Sequence, residues 1–157
     1  QILGSIDTIA AQQNWSEDRK EHLLERYGAE VIDLVSMIEA EPELGKPLIN
    51  APQFLRADVA YAVRAEGALH LEDVLVRRIR LDLEQRDRGL SSAEEILQIM
   101  TPELGWSEEK TQEELDLYRQ RVEAIAAAEK TTEDSAAAHC MDDMEQVAPR
   151  ASFVATS

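Results

Sequence analysis

Residues 106–125 read WSEEKTQEELDLYRQRVEAI, a capped opening followed by a helical apolar seam. Leu115, Tyr118, Val122 and Ile125 fall at offsets 0, 3, 7 and 10, the seam of one helix in a bundle. The opening Trp106-Ser107-Glu108-Glu109 repeats the chemistry of Trp15-Ser16-Glu17-Asp18. In each, a serine hydroxyl can accept from the orphan N–H groups of the first turn, and acids follow where the helix dipole favours them. The two openings are reuse of a good helix start, since their surroundings share no longer pattern.

Working outward, the helix that begins at Ser16 should stop at Gly28, a residue suited to the left-handed conformation past a helix end. Val31, Leu34, Val35 and Ile38 then form an apolar stripe at helical spacing. Pro42, Pro47 and Pro52 break the segment from 41 to 55 into an irregular connection. From Arg56 to about Arg88 the pattern is helical again, divided by Gly67. A further helix starts near Ser91-Ser92, carries Ile96, Leu97 and Met100, and ends before Gly105. No run alternates as a strand would. The expectation is an all-α fold, a compact bundle of about five to six helices with an acidic C-terminal tail. Residues 1–14 form a leader in which Ile2, Leu3, Ile6 and Ile9 allow one helical turn or two. The helical domain covers 15–130. Residues 131–157, with five acids against one base, read on their own as a disordered tail, or as one that docks in part on the body.

One domain accounts for 157 residues, and 44% hydrophobic residues suffice for its core. Aromatics are only 4%, so that core is aliphatic. Sixteen bases against thirty-two acids give a net charge of −16, which phosphate backbones repel, so nucleic acid is excluded as a partner. No apolar run approaches the roughly 20 residues of a membrane span, and no secretion signal opens the chain. The first residue is Gln1 rather than Met, in mid-helical pattern, which predicts a piece of a longer protein. A single cysteine, Cys140, excludes an internal disulfide and any multi-cysteine zinc site, and is compatible with a reducing compartment.

Missing chemistry narrows function further. The six glycines stand apart, at 4, 28, 45, 67, 89 and 105, so neither a dinucleotide-binding nor a Walker-type loop is present. His22, His70 and His139 follow Arg19, Gly67 and Ala136 by three positions, so the Glu-x-x-His pairs of di-iron bundles are absent. No H-E-x-x-H occurs either. His139 and Cys140 are neighbours in the tail, where a nucleophile–base pair is hard to hold. No catalytic, cofactor-binding or metal site is expected in these residues.

The stretch from Arg56 to Arg88 is unusual: seven of the sixteen bases, all arginine, and seven acids. On a helix at 100° per residue, Leu71, Val74, Leu75 and Ile79 share a face, with Arg78 and Asp82 in the middle of it. A guanidinium there needs a partner, and Asp82 is the expected one. Alternatively, Arg78 anchors the bundle against a second domain, and Arg64 and Glu66 admit the same two readings. Arg77 and Arg80 fall on the other side, in a row with Asp73 and Glu84. That row is either a solvated ladder of i, i+4 pairs or a face that meets another domain.

These pieces together resemble a family. Glu25-Arg26-Tyr27-Gly28, then residues 57–66 reading ADVAYAVRAE, then 71–80 reading LEDVLVRRIR, then Leu104-Gly105-Trp106 and a long acidic helix reaching Tyr118, occur in order. Over roughly residues 20 to 125 they resemble the C-terminal helical domain of FAD-dependent, aerobic glycerol-3-phosphate dehydrogenases and the related alpha-glycerophosphate oxidases. The resemblance implies an accessory, non-catalytic domain whose parent holds FAD and substrate in an upstream part. That parent oxidises sn-glycerol 3-phosphate to dihydroxyacetone phosphate and passes electrons through FAD to quinone or oxygen. Its partner is that upstream FAD and substrate domain of the same polypeptide. The matching positions Arg26, Arg64, Glu66, Asp73, Arg77, Arg78 and Arg80 carry a packing or inter-domain role, no more. Location would be cytoplasmic, with the parent peripheral at the inner face of the membrane; no basic amphipathic helix here accounts for membrane contact. The alternative is a free-standing acidic helical module that binds a protein partner.

Overall fold

The computed structural model describes residues 2–147, and among them it contains seven α-helices and no strand. The chain divides into two compact units, Gln1–Arg119 and Gln120–Ser157. Helix α1 (Ile2–Gln13) is three turns long, more than the leader's spacing suggests, because Ile6, Ile9 and Ala10 bury themselves where α1 packs on α3 (Val31–Ala40). Between them runs α2 (Glu17–Tyr27), opened by the Ser16 hydroxyl accepting the Arg19 N–H at 3.3 Å and closed by Gly28 at φ 54°. A single 3-10 turn, Gly28–Glu30, leads into α3, whose stripe Val31, Leu34, Val35 and Ile38 is fully buried.

The proline-broken connection is irregular as expected, with one 3-10 turn at Pro42–Gly45 and an isolated bridge between Pro47 and Leu55. Helix α4 (Arg56–Arg64) then packs between α3 and α6 (Leu90–Leu104), so its alanines, 57, 60 and 62, are all buried. Small side chains let neighbouring helix backbones approach, and the apolar filling comes from Leu34, Val59, Ile96 and Met100. Tyr27 and Tyr61 meet edge to face, ring centres 5.2 Å apart.

After α4 the chain departs from the continuous helical pattern. Asp73–Arg78 is a π-helical turn, and after it Arg80 takes a left-handed conformation, φ 54° and ψ 31°, before the one-turn α5 (Leu81–Glu84). The anchor is packing: Leu71, Val74, Leu75, Ile79 and Leu81 are at most 1% exposed, and five core positions in eleven residues override regular helix geometry. Helix α6 starts one residue before the serine pair, because Asp87 caps it: its carboxylate accepts the Gly89 and Ser91 N–H groups at 3.0 and 2.7 Å. Gly105, at φ 65°, closes it.

Helix α7 (Glu108–Val147) is the last element. Within the first unit it buries Glu114, Leu115 and Tyr118. Val122 and Ile125, the far half of the predicted seam, lie in the second unit, where no residue from 120 to 141 is buried. The acidic tail, expected to be disordered, is helical through Val147, in keeping with its alanine, glutamate and methionine content. Residues 148–157 lie outside the described part.

Candidate functional site

Asp58, in the first turn of α4, is 2% exposed. One of its oxygens accepts the Leu55 N–H at 2.6 Å, which caps α4; the other accepts the Tyr27 hydroxyl. Burial, with the Asp58 charge beside it, pushes the Tyr27 phenol far above its ordinary pKa, so Tyr27 stays a donor at every working pH. Arg26 completes the cluster. Its Nε lies 3.7 Å from Asp58, and its guanidinium carbon sits 5.4 and 5.5 Å from the ring centres of Tyr27 and Phe54. Its Nη2 donates to the Arg78 main-chain carbonyl at 2.8 Å, joining α2 to the end of the π-turn.

Arg78 itself departs from expectation. Asp82 is not its partner: Arg78 donates to the Glu66 carbonyl at 2.7 Å and lies 3.8 Å from the Glu66 carboxylate. Its side chain is 38% exposed, because the π-turn advances each residue by less than an α-helix does and carries Arg78 off the apolar stripe. Asp82 keeps one buried carboxylate oxygen without a protein partner. Arg64, at the end of α4, donates to Glu41 and to both oxygens of Glu103, tying α4 to the end of α3 and to α6. Paired so closely with Arg64, Glu103 is held below the ordinary carboxylate range.

Asp73 accepts the Leu69 and His70 N–H groups, each at 3.1 Å, and so opens the π-turn as a cap. Its other oxygen lies 3.7 Å from Arg77, whose side chain is 69% exposed. The expected Arg80–Glu84 pair does not form, since the left-handed residue interrupts the helix; Glu84 accepts from Gln53 instead. Among the described residues Arg80 has no carboxylate within ion-pair reach. Arg26, Arg64, Glu66, Asp73 and Arg78 thus make hydrogen bonds or ion pairs within this domain, while Arg77 keeps only the 3.7 Å contact to Asp73 and Arg80 has no ion pair among the described residues.

One buried carboxylate escapes a sequence reading. Glu114, 3% exposed, accepts from His70 at 2.9 Å, from the Leu71 N–H at 3.1 Å and from Lys110 at 2.9 Å, fastening α7 to the turn before the π-segment. The signal available is its spacing: Glu114 stands four residues before Tyr118, on the seam. Burial tends to raise its pKa, yet the bonds from His70, Lys110 and Leu71 outweigh burial and hold it below the usual range. Among the described residues no group of His, Cys, Asp and Glu is placed to hold a metal ion. Nor is any described helix long and apolar enough to cross a membrane.

Comparison with known proteins shows the family. Residues 2–111 match the family described as the C-terminal domain of alpha-glycerophosphate oxidase. The chain is 38% identical over 136 residues to a glycerol-3-phosphate dehydrogenase of Mycobacterium leprae, covering 87% of this chain and 23% of that protein. To the glycerol-3-phosphate dehydrogenase of Synechocystis it is 32% identical over 103 residues, 66% of this chain and 19% of the relative. To a probable mitochondrial glycerol-3-phosphate dehydrogenase of Dictyostelium discoideum it is 35% identical over 102 residues, 65% of this chain and 16% of the relative. The chain therefore spans less than a quarter of the length of the curated relatives it matches. No solved structure matches it significantly.

Proposed function

Because this chain belongs to the family of C-terminal domains of alpha-glycerophosphate oxidase, we propose that it serves as the non-catalytic accessory domain of a flavin-dependent glycerol-3-phosphate dehydrogenase. The parent would oxidise sn-glycerol 3-phosphate to dihydroxyacetone phosphate, with electrons leaving through FAD to quinone. It would do so in the cytoplasm, peripheral to the inner face of the membrane. The single observation that carries the reading is the match over residues 2–111 to a family defined as a C-terminal domain, within relatives more than four times longer.

The described residues themselves do not fit a flavin, which would have to be held by the rest of the polypeptide. A pyrophosphate wants a glycine cradle before an open helix N-terminus. Here the N-terminus of α2 is already closed by Ser16 and that of α6 by the Asp87 carboxylate, which takes the place of an anion. The two crowded glycines face this chain's own side chains, Gly45 facing Gln13 and Gly89 facing Leu75 and Leu81. Three of the arginines, Arg26, Arg64 and Arg78, are engaged with Asp58, Glu41, Glu103 and Glu66.

The test uses the full-length protein that carries this domain. Purified, it should contain FAD whose visible absorbance bleaches when glycerol 3-phosphate is added; a flavin-free protein overturns the assignment. The 157-residue chain titrated with FAD should leave flavin fluorescence unchanged, and stoichiometric quenching overturns the non-catalytic role.

A further inference from the structure

Among the described residues of a chain with thirty-two acids and sixteen bases, Arg80 nevertheless lacks a carboxylate partner. Arg77, next to it on the same turn, has only Asp73 at 3.7 Å and is 69% exposed. The inner side of this turn is fixed to the core through Val74, Leu75 and Ile79. Close to the arginines in the chain two leucines stand exposed, Leu69 at 60% and Leu83 at 74%. Leu69 is joined to Arg77 through Asp73, which caps the one and pairs with the other, and the Leu83 N–H is bonded to the Arg80 carbonyl at 3.1 Å. Arginine is enriched at interface centres, and here one unpartnered arginine and one weakly paired arginine stand with exposed apolar side chains on a turn fixed to the core.

We propose that this face, Leu69, Arg77, Arg80 and Leu83, docks the domain onto the remainder of its own polypeptide, against a surface offering carboxylates beside an apolar hollow. The inference rests on the accessory-domain reading above and says where that domain attaches. Length and charge both favour this occupant. The relatives extend over more than four times the matched length, so most of such a polypeptide lies outside this domain and must meet it somewhere. The domain is strongly acidic, which repels a carboxylate-bearing surface elsewhere; at this face the guanidinium groups can pair with it, and they fix orientation on contact. A left-handed backbone at Arg80, uncommon for any residue with a side chain, stays in place because the buried Ile79 and Leu81 on either side hold it.

Cysteine reactivity in the full-length protein decides the matter. Leu83→Cys and, in a second variant, Ile32→Cys are labelled with a maleimide and read peptide by peptide. Ile32 is 42% exposed and stands on α3, which packs on α1 and α4, so it serves as the internal reference. Labelling at position 83 should be about tenfold slower than at 32, and Arg77→Glu with Arg80→Glu should bring the two rates together. Equal rates in the unaltered background overturn the proposal. So does protection that disappears on dilution, which marks a second copy, or that arises only with anionic vesicles, which marks a lipid surface. Flavin bleaching by glycerol 3-phosphate is read on the same samples. Protection without bleaching supports the docking face and overturns the proposed reaction; bleaching without protection does the reverse.

Discussion

Arg26 and Arg78, 52 residues apart, meet through the main chain rather than through charge: the Arg26 guanidinium donates to the Arg78 carbonyl at 2.8 Å. Each guanidinium has its own carboxylate, Asp58 for Arg26 and Glu66 for Arg78. The contact secures the end of the π-turn without using the Arg78 side chain.

Arg78→Ala should therefore be mild. A half-exposed guanidinium that loses one bond to a carbonyl and a 3.8 Å ion pair costs about 1 kcal/mol. Urea denaturation of the two proteins measures it, and a loss above about 3 kcal/mol, the scale of a broken buried pair, contradicts the structure.

Asp58→Ala should be severe. It leaves the Tyr27 hydroxyl and the Leu55 N–H without an acceptor and removes the carboxylate beside Arg26, all at a site 2% exposed. The expected loss is about 3–5 kcal/mol in the same denaturation experiment. Tyr27→Phe, which removes only the hydroxyl, should cost about 1 kcal/mol, and a double-mutant cycle should show the pair to be coupled.

Much of this was legible in the sequence, and the boundary is physical. Periodicity marks the stripe Val31–Ile38, cap chemistry marks Ser16, and Gly28 and Gly105 mark helix ends, because each signal lies within a few residues of what it specifies. The π-turn has no such local signal. Its geometry comes from core positions contributed by several helices, so a wheel drawn at α-helical pitch puts Arg78 among Leu71, Val74 and Leu75 when it belongs outside. The partners of Arg64, Asp58 and Glu114 lie 39, 31 and 44 residues away in Glu103, Tyr27 and His70, beyond the reach of any local pattern.

Acid should loosen the hold of Glu114 on the start of α7. Its folded pKa is depressed below the ordinary 4.5, so the stabilisation is complete above that value and lost as pH falls through the lower, folded one. Between about pH 6 and about pH 3, Glu114→Gln should lose less stability than the unaltered chain. Parallel losses in the two proteins would exclude Glu114 as a contributor.

Two glycines separate strain from crowding. Gly105→Ala meets no atom within 4 Å but must hold φ 65°, at a cost of about 1–2 kcal/mol. Gly89→Ala adds, to φ 82°, a methyl 2.8 Å from the Leu75 side chain, and should cost about 1–3 kcal/mol more than Gly105→Ala by thermal denaturation. Equal losses would show that Leu75 yields freely.

The domain's edge lies past that of the family match. Glu114, Leu115 and Tyr118 are buried, and the Tyr118 hydroxyl donates to the Arg88 carbonyl at 2.7 Å. A chain ending at Arg119 should thus melt well above one ending at Thr111, by circular dichroism. Similar melting temperatures would contradict the packing of α7 within the first unit.

The π-turn also has a bearing on how chain length can vary among relatives. Its hydrogen bond from Ile79 to the Val74 carbonyl spans five residues where an α-helix spans four. One residue can be removed between Asp73 and Arg78 by restoring α-helical spacing, so a deletion is absorbed locally instead of being passed on to α6. Natural gaps should therefore collect at this turn. A homologue that carries such a gap would present its arginines from a different azimuth, and its two domains would need a correspondingly altered meeting surface.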